Sequence, residues 1–363
     1  FCDYLRSQKK PVTTGFLMHI GIDDFAAVNG THGSTYGDYV LKSVADCMKE
    51  CLSGNQRLYH LIADQYVIVD LDSTSRDDAM QLKKRISEKI DEFIISEKYE
   101  VVFSVSAGVI DASTVAEGYE ECRKKFEFSL KKAKQMGKNN IYFYRQDDYE
   151  RFQRNGRIIS ALRNSIANEC EGFEVYYQPI VDCASGRVIG AEALMRYTMV
   201  TEEGKEWLSP VEFIPLLEKT GLIIPMGRFL LNEAAKMCCE IQQYIPEFRV
   251  NVNISYYQIE HGKIADKILT AVRDNGLTPD RICIEMTESG FMDMTPAFCK
   301  FRKVLEENGI QFVIDDFGTG YSNLHCISDM NPGYVKMDKD FTAKAMSSER
   351  DYELFKKIIE MVH

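Results

Sequence analysis

From Phe173 to the end of the chain, short apolar runs of strand length alternate with runs of helical periodicity, and this alternation narrows the possible folds more than any other feature. Strand patterns lie at 175–180, 188–193, 248–254, 282–286, 312–314 and 334–337. Helical patterns lie near 211–218, 229–244, 265–275 and 297–308, with a last one from Tyr352. Repeated β-α alternation predicts an α/β domain with a parallel sheet, and this many units in one domain favours a barrel over an open sheet. In such barrels the reactive groups sit where strands end at the carboxyl face. The residues expected at those ends are Glu192, Asn253, Glu285 with Glu288, Asp315 with Asp316, and Lys336 with Asp338.

The stretch 311–323, QFVIDDFGTGYSN, sharpens the point. A short strand over 311–314 delivers two adjacent carboxylates and then a glycine loop. Aspartate is disfavoured in strands and is rarely buried unpaired, so two in succession need solvent or a cation. Taken alone, solvated aspartates in a turn explain the pattern as well as a cation does. Five successive strand ends with carboxylate, amide or ammonium groups tip the balance, because converging like charges repel unless a cation sits among them. The set is hard oxygen donors without thiolate or histidine, which selects Mg²⁺ or Mn²⁺ over zinc or copper.

The 363 residues suggest about two domains, and 45% hydrophobic residues can fill two cores. A net charge of −11 and a pI near 5.2 argue against a nucleic-acid polymer as partner. No apolar run approaches the ~20 residues of a membrane span. The eleven cysteines are scattered through ordinary helical and strand patterns, and six histidines do not cluster with them. Reduced thiols in a cytoplasmic protein are therefore expected, and a structural zinc site is not. The chain begins at Phe1 without a Met and so reads as an excised piece, in which any sensor or membrane region upstream is not visible.

Residues 1–147 read as a first domain. A strand over 16–22, a helix over 37–52, a strand-turn-strand over 57–71, a helix through Leu82, Ile86, Ile90 and Phe93, a strand over 101–110 and a helix over 119–136 make an α/β layer with a central hairpin. On GIDDFAAVNGTHGSTYGD (21–38), SVSAGV (104–109) and AKQMGKNN (133–140), this segment resembles a GGDEF (diguanylate cyclase) domain. It departs from that family where catalysis would occur. Ile62-Ala63-Asp64-Gln65-Tyr66 replaces the Gly-Gly-Asp-Glu-Phe signature, Gly21 replaces a metal-binding Asp, and Ser53-Gly54-Asn55-Gln56 replaces the inhibitory Arg-x-x-Asp site. Side chains at positions 62 and 63 obstruct the backbone approach to a triphosphate, and Gln65 cannot act as a base. Cyclase activity is not expected. Asn29 and Asp38 fall where the family contacts a guanine base, which leaves a candidate GTP site beside the reading of a residual scaffold. Residues 148–170 read as a helical connector, with the second domain over 171–363.

The second domain resembles an EAL phosphodiesterase domain on YYQPIVD (176–182), EALMR (192–196), NVNIS (251–255), EMTES (285–289), DDFGTGYS (315–322) and VKMD (335–338). The resemblance implies a TIM-like barrel and hydrolysis of cyclic di-GMP to pGpG with one or two Mg²⁺ or Mn²⁺ ions. By carry-over, Glu192, Asn253, Glu285 and Asp315 bind the first metal, and Asp315 with Asp316 holds a second. Lys336 positions the attacking water or neutralises phosphate charge, and Glu288 braces the loop over 317–323. Gln178, Leu194, Arg196 and Asp338 meet the substrate, and a homodimer forms through this domain. The family barrel has eight strands; only six are expected before His363, so the barrel is expected to be incomplete at the C-terminus. A receptor that holds cyclic di-GMP without cutting it is the rival reading. A barrel enzyme of Mg²⁺-assisted enolate chemistry is a third, disfavoured because Lys336 is the only Lys placed as a base.

Overall fold

The computed structural model describes residues 14–73, 75–98, 100–202, 204–287, 295–318 and 332–362. The chain divides into two compact units, Phe1–Gln153 and Arg154–His363.

In the first unit the elements are β1 (Phe16–Ile22), α1 (Phe25–His32), α2 (Ser34–Cys51), β2 (Arg57–His60), β3 (Gln65–Asp70), α3 (Arg76–Ser96), β4 (Val105–Asp111), α4 (Tyr119–Gln135) and β5 (Ile141–Phe143). The sheet order is β2-β3-β1-β4-β5, with β1 antiparallel to both neighbours. Every residue of β1 is buried because helices cover both faces. Its even-numbered residues Met18, Ile20 and Ile22 pack with Val44 of α2 and Leu82 of α3; Leu17 packs on the other side with Phe126 of α4. This is the period-two alternation of a strand. The strand expected from residue 101 begins only at Val105, and β5 was not anticipated.

One helix, α5 (Gln146–Ala167), runs through the boundary between the units. The second unit continues with β6 (Phe173–Val181), β7 (Val188–Thr201), β8 (Gly204–Leu208), α6 (Pro210–Thr220), α7 (Ile223–Gln242), β9 (Arg249–Asn253), α8 (Tyr256–His261), α9 (Ile264–Asp274), β10 (Ile282–Thr287), α10 (Pro296–Glu307), β11 (Gln311–Phe317), β12 (Tyr334–Met337), α11 (Lys339–Ala345) and α12 (Glu349–Val362).

The sheet order is β12-β11-β10-β9-β7-β6, with β8 beside β7. Strands β7, β9, β10, β11 and β12 are mutually parallel as expected. The expectation of an all-parallel sheet fails at its start, where β6 and β8 both run antiparallel to β7. Two short connections, 182–187 and 202–203, are too short for crossover helices and so form hairpins. The same long β7 corrects a second expectation: Glu192 does not close its strand but lies near the middle of it.

The sheet has one greasy face and one polar face. Ala191, Ala193 and Met195 of β7, Val250 and Val252 of β9, Ile282, Ile284 and Met286 of β10, and Phe312 and Ile314 of β11 all belong to a single core with the helices. Glu192, Asn251, Asn253, Glu285, Asp315 and Lys336 have the opposite parity. Strand β11 was expected to stop at Ile314 and instead runs to Phe317. Between Ile314 and Phe317 it carries one more residue than β12, a bulge. Asp316 sits there with φ of 53°, and the extra residue reverses the alternation so that Phe317 enters the core fully buried.

Candidate functional site

Parity and register together assemble the polar face. Glu192 pairs with Asn251 across β7 and β9, and Asn253 pairs with Glu285 across β9 and β10. The sheet must also curl. Strands β12 and β7 are separated by three intervening strands, about 19 Å in a flat sheet at ~4.8 Å per strand. Yet Lys336 Nζ on β12 donates to Glu192 Oε2 on β7 at 2.6 Å. The polar face is therefore concave.

Inside that concavity five of the residues singled out from the sequence converge. Lys336 Nζ lies 3.1 Å from Glu285 and 3.4 Å from Asp315 Oδ1. Asn253 Nδ2 donates to Glu192 Oε1 at 2.8 Å and Glu285 Oε2 at 3.3 Å. Carboxylate oxygens of Glu192, Glu285 and Asp315 all lie within 4.8 Å of one another. Glu285 is fully buried. Burial, and after it the charge of Glu192, pushes its carboxyl up to about 7. Burial acts against the charge on Lys336, but the hydrogen bond to Glu192 and the charges of Glu285, Glu192 and Asp315 outweigh it and hold the ammonium well above the ordinary lysine range.

Three carboxylates thus face one ammonium, a surplus of two negative charges when all are ionised. One divalent cation would neutralise that surplus, and the donors fit such a cation: three carboxylates, plus Asn253, whose amide turned over about its last bond presents Oδ1 at the same place. Solvent cannot supply the compensation for Glu285, because no solvent reaches it.

The other expected residues fall around this cluster. Asp316 adjoins it, exposed, and its carboxyl is raised by partial burial and then by Asp315 and Asp338. Asp338 caps α11, accepting from Phe341 N at 2.9 Å, so its carboxylate has a structural task. Gln178 on β6 stands opposite Glu192 in the hairpin register and is exposed. Leu194 and Arg196 follow Glu192 on the same face of β7. The Arg196 guanidinium lies 5.4 Å from the centre of the Tyr176 ring, and its Nη1 donates to Met195 O at 3.0 Å. Leu194, Arg196, Asn253, Tyr256 and Thr287 line a cavity of about 700 Å³. Glu288 lies outside the described residues.

Two participants escaped the sequence reading. Asn251 Nδ2 donates to Glu285 Oε1 at 2.6 Å and to the hydroxyl of Tyr334. The signal was the i, i+2 spacing of Asn251 and Asn253, which puts both amides on one face.

In the first unit, Asn29 and Asp38 are exposed on α1 and α2. Ala63 occupies the hairpin turn with φ of 51°. A Cβ added at Gly21 would stand 3.1 Å from Lys134 Nζ, and that ammonium donates to Ile22 O at 3.0 Å and lies 3.7 Å from Asp64 Oδ2. Gln65 Oε1 lies 3.0 Å from Nε2 of buried His19. Burial lowers the pKa of that imidazole.

Comparison with known proteins agrees with this division. A model of the EAL domain matches residues 159–363, and one of the diguanylate cyclase GGDEF domain matches residues 3–140. The chain is 27% identical over 350 residues to the bifunctional diguanylate cyclase/cyclic di-GMP phosphodiesterase MucR of Pseudomonas aeruginosa, across 95% of this chain and 50% of the relative. It is 28% identical over 346 residues to the cyclic di-GMP phosphodiesterase NbdA of the same organism, across 95% of this chain and 43% of the relative. The chain thus spans half or less of the length of these relatives. A solved structure of PaMucR phosphodiesterase in complex with c-di-GMP matches with a TM-score of 0.51 and 30% identity, over 56% of this chain and 81% of that one. An EAL enzyme, Bd1971, bound to cAMP and cyclic di-GMP matches with a TM-score of 0.54 and 25% identity, over 71% of this chain and 68% of that one. Among the described residues no helix is long and apolar enough to cross a membrane.

Proposed function

This chain belongs to the EAL domain family and carries a GGDEF domain ahead of its EAL domain, and from that premise we propose that it is a divalent-metal-dependent phosphodiesterase that hydrolyses cyclic di-GMP to linear pGpG. The observation that carries the reading is the charge surplus at the concave face, three carboxylates from three strands against one ammonium. A receptor needs contacts to phosphate and guanine; it has no use for a buried set of hard oxygen donors.

Glu192, Asn253, Glu285 and Asp315 would hold a cation, and Asp315 with Asp316 would share a second. When bound, such a cation supplies Lewis acidity, polarising phosphoryl oxygen and making water a stronger acid. The chain's own residues do the rest. Lys336, kept as an ammonium by its carboxylate neighbours, offers fixed positive charge to the phosphate as negative charge grows there. Arg196, steadied over Tyr176, offers N–H donors to the phosphodiester, and Leu194 gives the adjoining cavity an apolar wall for a base. Water adds at phosphorus, the bond to the 3′ oxygen breaks, and that oxygen takes up the proton and leaves as the 3′ hydroxyl. The cycle opens to pGpG. A homodimer and a cytoplasmic location belong to the same reading.

The first unit we assign a regulatory or scaffold role without cyclase activity. Lys134 supports this: its ammonium neutralises Asp64 and occupies the neighbourhood where a carboxylate at position 21 would act. Asn29 and Asp38 remain as a candidate GTP contact.

The deciding experiment incubates the chain with cyclic di-GMP and Mn²⁺ or Mg²⁺ and follows the products by chromatography. Appearance of pGpG, lost on chelation, is expected. Retention of intact ligand with no product would identify a receptor and overturn the enzymatic reading.

A further inference from the structure

Glu285 is the least accessible of the candidate cation ligands, and the direction in which it offers its oxygens is set by the groups that hydrogen-bond to them. We propose that Asn251 and Tyr334 form a positioning relay that fixes the Glu285 carboxylate in the attitude required for cation binding; the inference rests on the cation-binding reading given above.

Asn251 is 1% exposed and lies on β9 opposite Cys283, on the same concave face as Glu285. Its Nδ2 carries two hydrogens. One goes to Glu285 Oε1 at 2.6 Å, and the other goes to the Tyr334 hydroxyl, so both donors are committed. Tyr334 belongs to β12, with β11 and β10 between it and β9 in the sheet order, and reaches Asn251 only because the sheet curls. Asn251 thus ties Glu285 of β10 to Tyr334 of β12 from the strand between β7 and β10. Three strands thus contribute to one brace. The brace acts on one oxygen of Glu285, while Asn253 acts on the other. A carboxylate held at both oxygens before the cation arrives loses little freedom on binding it. Partners that orient metal ligands in this way are typically worth about 10- to 100-fold in metal affinity.

The test is calorimetric titration of Mn²⁺ alone into the full chain, without nucleotide, for the unaltered protein, Asn251→Leu and Tyr334→Phe. Leucine keeps the branching, with somewhat larger end groups, and removes both donors. Phenylalanine keeps the ring and leaves one Asn251 hydrogen without its acceptor. Mn²⁺ affinity is expected to fall about 10- to 100-fold in Asn251→Leu and by a smaller factor in Tyr334→Phe. Turnover of cyclic di-GMP should recover toward the unaltered rate at saturating Mn²⁺, which a merely structural lesion would not permit. Should Asn251→Leu fail to fold, Tyr334→Phe carries the decision alone. Unchanged Mn²⁺ affinity in the folded variants, with normal uptake by the unaltered chain, overturns the relay and leaves the cation site standing. An unaltered chain that takes up no Mn²⁺ overturns both.

Discussion

At the scale of single residues, Glu285 and Lys336 define the chemistry. The Glu285 carboxyl, raised to about 7 by burial and then by Glu192, keeps its proton in the folded protein to a higher pH than in the unfolded chain. The folded state therefore binds more protons between the ordinary glutamate range and about pH 7, and stability from this group is lost as pH rises through that window. Melting of the metal-free chain should shift downward from pH 5 to 8, and Glu285→Gln should flatten that slope; an identical slope in both proteins would refute the assignment. Mn²⁺ reverses the sign. A cation needs the carboxylate, so affinity should climb as pH approaches 7, with proton release measurable by calorimetry in buffers of different ionisation heat. Replacing Lys336 by Met, which keeps the stem and deletes the charge, should cut kcat by about 10²–10³. Glu192→Ala should abolish turnover, and pGpG formation at the unaltered rate would contradict its place as a ligand.

The informative elements are β11 and the β2-β3 hairpin, both of which carry a left-handed residue other than glycine. At Asp316, φ of 53° places the extra residue of the bulge and thereby sends Phe317 into the core. A β-branched residue tolerates that conformation poorly, so Asp316→Val should cost about 1–3 kcal/mol in denaturant unfolding. Asp316→Gly should hold the bulge without that loss. Ala63 offers the complementary case, exposed in a turn at φ of 51°. Ala63→Gly should stabilise the chain by up to about 1 kcal/mol, because left-handed backbone costs roughly 1–2 kcal/mol for an L residue, offset in part by glycine's entropy. It should not yield cyclic di-GMP from GTP and Mg²⁺, since Lys134 still neutralises Asp64. The sequence made the presence of these elements plain but misplaced their ends. The Asp-Asp pair looked like a strand terminus because aspartate is rare in strands; Lys336 on the neighbouring strand β12 overrides that preference for Asp315, and the bulge leaves Asp316 exposed.

For the molecule as a whole, the β-α alternation was enough to announce a TIM-like (β/α) sheet in the second unit and an α/β layer in the first. It concealed the antiparallel start, because β6, β7 and β8 are joined by hairpins, and a strand pattern carries no direction of its own. The five clustered site residues were legible for a related reason: each lies on a strand next to residues whose hydrophobicity reports which side faces the helices. Asn251 was present in the motif yet went unassigned, since a hydrogen bond between β9 and β12 depends on curvature, which no single strand encodes.

The division of each strand into a helix-facing and a concave-facing set has a practical corollary for anyone comparing sequences of this kind. Loops between the strands can lengthen or shrink without disturbing the donors, but one residue inserted or deleted between Asn251 and Asn253, or just before Glu285, would rotate the oxygen atoms into the hydrocarbon side and silence the site. Sorting catalytic from silent members should therefore weigh frame shifts inside strands above the size of any gap between them.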